Sequence, residues 1–423
     1  MVKKIGIIGL GTVGQATLKT LAKYRRLIER RTSLDIRVQK VCDIKQEKKK
    51  VVARTSIPFT TDPYEVINDP NIDIIVELIG GIHPAYQYVT SSLKKGKDVV
   101  TANKALLAQE GKAIFKLAHK LKCNVGVEAS VCGAMPLIKS ISEGLVSCEV
   151  KRLYGILNGT TNHILYQMYK EKIDFQDALK QAQERGIAET SPQLDIQGTD
   201  ALHKLCILSY LCFGVWPKIK DVYVEGITRI NPLDIQYAEE LSYRIKLLAI
   251  AKKEKYHLSL RVHPTLIREE HPLAEVVSAF NGVWLDTYPA GRFLMYGEGA
   301  GGIPTSSSII SDIVNVSLRK NSFKIKEEKK TRLESINRLK TRYYIRFMAL
   351  DKPGVLARVS KILASLNISI ASVTQKERSK GNIVPIVMLT HDAIELNLRK
   401  ALSRIDRLDL IKPPSQLIRI EDM

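Results

Sequence analysis

The stretch GLGTVGQ, residues 9–15, constrains the fold of this chain more than any other feature of its sequence. An apolar run at residues 5–8 precedes it, and a segment with helical spacing follows it. A buried strand, a turn containing Gly9, Gly11 and Gly14, and a helix together begin a dinucleotide-binding unit, in which the helix N-terminus faces the pyrophosphate. The alternative is a glycine-rich surface loop, because three glycines at this spacing also occur by chance.

An acidic residue is expected where the second strand of such a unit ends, because its carboxylate binds a ribose hydroxyl. Asp43 follows the apolar-rich segment 36–42 and is the candidate. It comes later than the usual spacing of about 20 residues. The basic insert at residues 24–33 accounts for the delay.

After Asp43, alternating apolar strands and helical stretches continue to residue 130. This alternation predicts a doubly wound parallel sheet, with ligand contacts in the loops at the carboxyl ends of its strands, here Gly80, Gly81 and residues 101–104. Beyond residue 130 the pattern changes to α+β, and helices are predicted near residues 136–145, 162–170, 175–185, 200–213 and 234–250.

The chain is therefore predicted to be an α/β protein with three domains. Residues 1–130 form a Rossmann-type nucleotide-binding domain, and residues 300–320 are expected to pack back on it. Residues 131–318 form a second, α+β domain. The charged segment 319–342 contains few apolar residues and is interpreted as a linker, and residues 343–423 are interpreted as a small third domain.

The formal net charge of +21 is typical of chains that bind nucleic acid or anionic membranes. The basic residues are spread through every segment, however, and their clusters contain few aromatic side chains for base stacking. We interpret them as solvated helix faces that attract small anions, and predict neither a nucleic-acid nor a membrane partner. The longest apolar run, residues 205–216, is shorter than the roughly 20 residues that span a bilayer. Six cysteines without paired short spacing indicate free thiols and a cytoplasmic location.

The segment 182–204 contains the most informative group of polar residues. Asp200 and Lys204 are four positions apart on a predicted helix, so they lie on one face, which continues with apolar residues. Desolvation on such a face lowers the pKa of a lysine toward neutrality, while the carboxylate raises it again and holds the ammonium in place. A structural ion pair is the alternative. Glu189 and Asp195 add two further carboxylates, and the set indicates a polar cleft suited to a zwitterionic amino acid.

This segment reads AQERGIAETSPQLDIQGTDALHK and closely resembles the signature of the homoserine dehydrogenase family. Other motifs in the first 320 residues agree, among them VELIGG (76–81), VVTANKALLA (99–108), NGTTN (158–162) and GAGGIPT (299–305). The resemblance implies an NAD(P)-dependent interconversion of L-aspartate 4-semialdehyde and L-homoserine, in threonine, methionine and isoleucine biosynthesis. It also makes residues 131–318 a catalytic and dimerisation domain, and favours a cofactor turn over a surface loop at GLGTVGQ.

By this resemblance Lys204 is the general acid/base for the proton of the C4 oxygen, and Asp200 is the carboxylate that orients it. Glu189 binds the substrate ammonium, and Asp195 is also expected to contact the substrate. Lys104 lies between cofactor and substrate, where it supports proton transfer or binds the substrate carboxylate. The residue types suit these roles, because an aldehyde that accepts hydride develops negative charge on oxygen, which nearby lysines stabilise.

The resemblance implies NAD or NADP as the cofactor, and we expect it to contact Gly9, Gly11, Thr12, Val13, Gly14, Asp43, Arg54, Gly80, Lys104 and Gly301. Asp43 favours NAD, because its carboxylate repels a 2′-phosphate. A chain that prefers NADP would have to bind that phosphate through Lys45, Lys48 or Arg54. The resemblance also implies a structural monovalent cation, usually sodium, at the main-chain oxygens of Glu128, Val131, Gly133 and Met135.

Two other functions compete with this one. The first is another hydride-transferring reductase of an amino-acid pathway with the same architecture, which the long motifs between residues 60 and 305 disfavour. The second is a catalytically silent amino-acid sensor that binds a nucleotide only structurally. The intact set of Glu189, Asp200 and Lys204 disfavours this sensor.

The segment YYIRFMALDKPGVLARVSKILASLNISIASV, residues 343–373, predicts strand, turn, helix and strand. A hairpin around residues 380–382, a strand to residue 390, a helix over residues 393–404 and a strand near residues 417–420 complete a ferredoxin-like βαββαβ order. This order resembles an ACT domain, an amino-acid-binding module, and the turn DKPGVL is its most specific mark.

The ACT resemblance implies an amino-acid effector, and our hypothesis is L-threonine. The ligand is expected at Asp351, Gly354, Val355 and Leu356, between two copies of the chain in a homo-oligomer, either a dimer or a tetramer. An ACT domain used only for dimerisation is the alternative. If the domain is regulatory, truncation before Tyr343 is expected to leave an active enzyme that threonine does not inhibit.

Overall fold

The structure is a computed structural model, and it describes residues 1–318, 328, 330–376 and 382–423. Positions 319–327 and 329 of the predicted linker lie outside the described residues, as do positions 380 and 381 of the predicted hairpin. The described chain forms two sheets, a parallel one and a larger mixed one.

The first part of the chain folds into a six-stranded parallel sheet. Its elements are β1 (Val2–Ile8), α1 (Thr12–Thr32), β2 (Asp35–Cys42), β3 (Phe59–Thr60), α2 (Pro63–Ile67), β4 (Ile74–Glu77), α3 (Ala85–Lys94), β5 (Asp98–Thr101), α4 (Lys104–Leu121) and β6 (Val125–Gly126). The strand order is β3-β2-β1-β4-β5-β6, which confirms the predicted doubly wound fold. The order reverses between β1 and β4, where ligands bind in such sheets, and the Gly9 turn and Gly80 follow these two strands.

The second part contains α5 (Leu137–Lys139), β7 (Glu149–Ile156), α6 (Gly159–Glu171), α7 (Phe175–Glu184), α8 (Gln193–Ile196), α9 (Thr199–Phe213), β8 (Tyr223–Val224), α10 (Pro232–Glu240), β9 (Tyr243–Glu254), β10 (His257–Arg268), β11 (Phe280–Tyr288), β12 (Gly291–Glu298) and α11 (Gly302–Ser317). The π-helical turn Ser140–Gly144 extends α5. Strands β12, β11, β7, β9 and β10 pair antiparallel in that order. Helix α9 packs against β9 and α4 and is buried on nearly all sides.

Helix α11 returns from the second part of the chain to the first. Ile309 and Ile313 of this helix share one buried cluster with Ile5 and Leu21 of the nucleotide-binding fold. The hydroxyls of Thr20 on α1 and Ser306 on α11 lie 2.8 Å apart. The last helix of the second part therefore covers one face of the parallel sheet. None of the helices within the described ranges combines the length and apolar character needed to cross a bilayer.

The prediction of one helix over residues 234–250 is wrong. Helix α10 ends at Glu240, Ser242 has a left-handed φ of 59°, and strand β9 begins at Tyr243. The centre of β9 is buried on both faces, so its sequence shows neither the alternation of a half-exposed strand nor the polar face of a surface helix. Such apolar runs do not distinguish strand from helix, and the pairing of β9 with both β7 and β10 decides the outcome.

The C-terminal part contains β13 (Arg332–Leu333), β14 (Lys340–Leu350), α12 (Val355–Ala364), β15 (Ile370–Thr374), β16 (Ile383–Thr390), β17 (Ala393–Ile394), α13 (Glu395–Ile405) and β18 (Ile411–Glu421). Strands β14, β15, β16 and β18 with helices α12 and α13 have the predicted βαββαβ order. Strand β18 also pairs in parallel with β10, so the sheets of the second and third domains are continuous. Strand β13, within the segment interpreted as a linker, likewise pairs with β10.

The two domains that share this sheet also share a hydrophobic core and buried ion pairs. Tyr344 and Ile418 belong to the same buried cluster as the core of the second part. The guanidinium of Arg346 on β14 donates two hydrogen bonds, of 2.7 and 3.0 Å, to the carboxylate of Asp234 on α10. The hydroxyl of Tyr344 donates to the same carboxylate at 3.1 Å. The C-terminal domain is therefore a built-in part of the second domain and not a tethered module.

We predict that Arg346→Met lowers the free energy of unfolding by about 3–5 kcal/mol, because it leaves the fully buried Asp234 carboxylate without its guanidinium. The matched control is Arg358→Met, since Arg358 pairs with Asp409 on the surface, where an ion pair contributes less than about 1 kcal/mol. Urea denaturation followed by circular dichroism measures both variants. Equal effects of the two substitutions would contradict this account of the joint between the domains.

Candidate active site

The glycine turn after β1 leaves no room for side chains at two of its three glycines. Gly9 has a φ of 106°, and a Cβ atom there would lie 2.6 Å from the carbonyl oxygen of Leu78. A Cβ atom on Gly14 would lie 2.1 Å from the carbonyl oxygen of Gly9. Gly11 faces open space and lines a cleft of about 380 Å³. The turn therefore brings bare backbone to the cleft at the start of α1, as phosphate binding requires.

Asp43 lines the same cleft and is held by the backbone. Its Oδ2 atom accepts a hydrogen bond of 2.8 Å from the Leu10 amide, and its Oδ1 atom accepts one of 2.9 Å from the Lys45 amide. Lys45 and Lys48 also line the cleft, whereas Arg54, the third basic residue expected near a 2′-phosphate, is exposed beyond it. The cleft thus contains a negative charge, on Asp43, which disfavours a 2′-phosphate, and two positive charges, on Lys45 and Lys48, which favour it.

The other expected cofactor residues are divided between two clefts. Gly80 lines the cleft with Gly11, while Lys104 and Gly301 line a second cleft of about 610 Å³. Thr12 and Val13 form the first turn of α1. Gly301 has a φ of 119° and precedes α11, whose first residue, Gly302, lies against Thr12. The start of α11 therefore lies beside the cofactor turn, although the two are far apart in sequence.

The second cleft contains the predicted catalytic residues. The Lys204 ammonium donates hydrogen bonds to the Leu157 carbonyl oxygen at 2.6 Å and to Asp200 Oδ2 at 2.7 Å. The ammonium of Lys104 lies 2.7 Å from Asp200 Oδ1. Lys204 and Asp200 are buried, whereas the side chain of Lys104 is 44% exposed. One buried carboxylate is thus held between two lysines, one from α4 of the nucleotide-binding domain and one from α9.

This arrangement has clear electrostatic consequences. Burial by itself raises the pKa of the Asp200 carboxyl, but the charges of Lys204 and Lys104 outweigh burial and hold that pKa well below its usual range. Burial lowers the pKa of Lys104, and Asp200 outweighs this effect and raises it. The pKa of Asp195 is raised, first by burial and then by the charge of Asp200. Asp200 therefore stays ionised across the physiological pH range.

Asn158 is a site residue to which the sequence analysis gave no role. Its Nδ2 atom donates hydrogen bonds to Asp195 Oδ1 at 2.7 Å and to Asp200 Oδ2 at 2.8 Å. Its Oδ1 atom accepts from the Thr161 amide at 2.8 Å and caps helix α6. An Asn before Gly-Thr-Thr is a recognisable helix-capping signal, but the carboxylates it orients come from a distant segment. Glu189 lies exposed at the rim of the same cleft.

A clamp of polar residues holds the loop on the opposite side of the cleft. Asn162 Nδ2 donates to the carbonyl oxygens of Val276 and Ser278, at 3.0 and 2.9 Å. The Lys246 ammonium donates to the Val276 carbonyl oxygen at 2.6 Å and to Asn162 Oδ1 at 3.2 Å. Burial lowers the pKa of Lys246 to about 8. Ser278 and Phe280 of this loop line the cleft, so the clamp positions one of its walls.

The residues expected at a monovalent cation form a sharp bend. Cys132 and Gly133 have consecutive positive φ values of 52° and 29°, and a Cβ atom on Gly133 would lie 2.8 Å from the Gly299 carbonyl oxygen. The carboxylate of Glu128 accepts hydrogen bonds from the amides of residues 138 and 139, at 2.8 and 2.9 Å, and burial raises its pKa to about 7. Because both oxygens of this carboxylate already accept hydrogen bonds from backbone amides, the arrangement is consistent with a cation that is held by main-chain oxygens.

The turn of the C-terminal domain precedes α12. Gly354 has a φ of 90°, the Asp351 amide donates to the Asn382 carbonyl oxygen at 2.8 Å, Val355 is buried, and Leu356 is 41% exposed. At the start of α12, the side chain of Leu356 is thus accessible to solvent, whereas that of Val355 packs into the core.

A glycine turn at the switch point of a doubly wound sheet, and beside it a cleft with a buried carboxylate between two lysines, define a nicotinamide-dependent dehydrogenase. Three family models match the chain. The NAD-binding domain of homoserine dehydrogenase matches residues 9–128, homoserine dehydrogenase itself matches residues 136–314, and the ACT domain matches residues 343–409.

Whole-length relatives agree with the family models. A homoserine dehydrogenase from Neisseria gonorrhoeae is 38% identical over 99% of this chain and 98% of its own length, and one from Helicobacter pylori is 39% identical over 99% of both. The crystal structure of a homoserine dehydrogenase from Thiobacillus denitrificans is 41% identical, with a TM-score of 0.93 over 100% of this chain and 99% of that chain. A hyperthermophilic archaeal homoserine dehydrogenase in complex with NADPH covers 77% of this chain and 100% of its own, at 26% identity and a TM-score of 0.66.

The chain belongs to the homoserine dehydrogenase family and is an NAD(P)-dependent oxidoreductase with a C-terminal ACT domain.

Proposed function

We propose that this chain interconverts L-aspartate 4-semialdehyde and L-homoserine, with Lys204 as the general acid/base. The contact between Lys204 and Asp200 carries the proposal. An ammonium has three N–H donors, and two of those of Lys204 are taken by Leu157 and Asp200, so one remains for a substrate oxygen. When the aldehyde is reduced, this N–H transfers its proton to the developing alkoxide, and Lys204 is then reprotonated from water. In the reverse reaction the neutral amine of Lys204 accepts the proton of the homoserine hydroxyl.

The other charged residues of the cleft are assigned to binding and orientation. Lys104 and Lys204 together stabilise the negative charge that develops on the C4 oxygen, and Asp200 holds both ammonium groups in place. Glu189 and Asp195 bind the substrate ammonium, and Asn158 orients Asp195 and Asp200. The nicotinamide, when bound, supplies or accepts the hydride at C4. We also propose that sodium is held by the main-chain oxygens of Glu128, Val131, Gly133 and Met135 and has a structural role.

We predict that Lys204→Ala lowers kcat for L-homoserine oxidation by about 10²- to 10⁴-fold, because it removes a positioned general acid/base. Nucleotide binding, measured by the fluorescence of the reduced cofactor, is expected to change little, since the glycine turn is separate from α9. Lys180→Ala, at an exposed position of α7, is the matched control and should retain full activity. A Lys204 variant with the rate of the parent enzyme across the pH range would reject the assignment.

We predict that the enzyme prefers NAD to NADP, because the Asp43 carboxylate accepts a hydrogen bond from a free ribose hydroxyl and repels a phosphate there. Asp43→Ser should shift the ratio of kcat/KM values toward NADP by about tenfold or more, the amount expected for one charge contact of about 1.4 kcal/mol. Lys48→Ala should shift it further toward NAD. Equal efficiency of the parent enzyme with both cofactors would show that Lys45 and Lys48 offset the aspartate.

We propose that L-threonine inhibits the enzyme through the ACT domain, which acts within a homo-oligomer. The support is the ACT match together with the continuous sheet that joins this domain to the catalytic part. Truncation before Tyr343 is not a usable test, because it would remove β18 and expose buried side chains that Tyr344 and Ile418 cover. The expected loss of threonine sensitivity with retained activity must therefore be sought with point variants of the full chain.

We predict that millimolar L-threonine lowers the rate of homoserine oxidation by the full-length enzyme, whereas L-lysine, whose side chain is longer and positively charged, leaves it unchanged. Leu356→Asp, at the exposed start of α12, should weaken inhibition if the effector binds at this turn, because it places a carboxylate beside the effector carboxylate. An enzyme indifferent to threonine, methionine and isoleucine would leave the ACT domain with a purely architectural role.

A further inference from the structure

A cavity outside the active site lies between the ACT domain and the second domain. It has a volume of about 630 Å³, and its walls are the segment around Tyr223 and Gly226, helix α13 with the residues that follow it, and residues 414–419 of β18. Among its lining residues are four arginines, Arg229, Arg399, Arg407 and Arg419, but only two carboxylates.

Two of the arginines are held in the cavity wall by hydrogen bonds, one of them buried and the other, Arg399, 42% exposed. Arg419 is 1% exposed, and its guanidinium donates hydrogen bonds to Glu395 at 3.0 Å, to Glu225 at 2.8 Å and to the Tyr223 hydroxyl at 3.1 Å. Arg399 donates to the same hydroxyl at 2.7 Å and to Glu395 at 2.8 Å. Arginines and a glutamate of the ACT domain thus form one hydrogen-bonded network with a glutamate and a tyrosine of the second domain.

The other two arginines lie at the rim of the cavity. Arg229 and Arg407 are both exposed, and among the residues that the structure describes neither forms an ion pair. They come from different domains, since Arg229 follows β8 and Arg407 follows α13. A carboxylate that entered the cavity would find two guanidinium groups, which bind such groups with two parallel hydrogen bonds.

The cavity wall is connected to the active site by backbone contacts. The Ile227 amide donates to the Ile196 carbonyl oxygen at 2.9 Å, and a Cβ atom on Gly226 would lie 2.1 Å from that oxygen. Ile196 directly follows Asp195, which accepts a hydrogen bond from Asn158 in the catalytic cleft. A ligand that displaced the segment around Gly226 would therefore displace α8 and the carboxylate of Asp195 with it.

We propose that this interdomain cavity binds a small carboxylate-bearing metabolite through Arg229 and Arg407, and that the bound ligand acts on the active site through the contact of Gly226 with Ile196. Free amino acids are the first candidates, because Glu225 and Asp406 in the same wall are acceptors for an ammonium group. The site is separate from the turn at Asp351 to Leu356 that begins α12. This inference deepens the proposed regulation, but binding itself does not depend on the proposed reaction.

Isothermal titration calorimetry on the full-length protein tests the proposal, with L-threonine, L-methionine, L-isoleucine, succinate and inorganic phosphate as probes. We expect at least one amino acid or succinate to bind, and Arg229→Ala and Arg407→Ala each to weaken that binding by about 10- to 100-fold, the loss expected for one charged hydrogen-bond pair. Arg358→Ala, an exposed arginine on α12, is the matched control and should bind as the parent does. Unchanged thermal unfolding of the rim variants would show that they are folded.

Three results would overturn the proposal. The first is no binding of any carboxylate probe, and the second is binding that the rim variants leave intact and that Leu356→Asp abolishes. The third is binding of phosphate alone, which would make the cavity a general anion site. Because calorimetry does not require turnover, a protein that failed to oxidise homoserine could still bind the ligand, so the failure of this inference and the failure of the proposed reaction are distinguishable. As a second readout, a bound ligand is expected to change the KM for homoserine in the parent enzyme, and not in Arg407→Ala.

Discussion

The carboxylate of Asp200 lies between the ammonium groups of Lys104 and Lys204, and this three-charge contact joins two domains at the cleft that contains the predicted catalytic residues. Lys104 is the first residue of α4 in the nucleotide-binding domain, whereas Asp200 and Lys204 belong to the buried helix α9. A buried charge without a partner is destabilising, so moving α4 away from α9 would cost free energy by removing one partner of the Asp200 carboxylate. The contact therefore adds a charged link between the nucleotide-binding domain and helix α9 to the packing of α4 against α9.

The same requirement for paired charges joins the ACT domain to the catalytic part. Arg346 with Asp234, and Arg419 with Glu395 and Glu225, place buried ion pairs on both sides of the shared sheet. Strand β18 completes this joint, since it pairs with β14 of its own domain and with β10 of the other. An ACT domain attached by a flexible linker could only act by proximity, but one built into a continuous sheet can transmit small displacements through packed elements.

Several elements could be predicted from the sequence because local interactions decide them. The turn at Gly9 and Gly14 requires glycine, since neighbouring backbone oxygens occupy the space of a side chain. Asp200 and Lys204 meet because a helix brings positions four apart to one face. For residues 243–250 the sequence predicts a helix where the structure has a strand, because burial on both faces removes the periodicity that separates the two. Arg54, expected at the cofactor, is exposed while Lys48 lines the cleft, a difference that depends on how the chain folds after Asp43.

Local sequence patterns predict the doubly wound sheet, the βαββαβ order of the C-terminal part, and the pairing of a carboxylate with a lysine on one helix. These features follow from periodicity, glycine positions and spacing within one element. Three contacts depend instead on three-dimensional packing: Lys104 reaches the same carboxylate, Asn158 donates a hydrogen bond to it, and Arg419 pairs with Glu225 in the wall of a cavity between two domains. Each of these contacts joins residues more than 40 positions apart, and their meeting depends on packing of whole elements, which leaves no periodic pattern in the sequence.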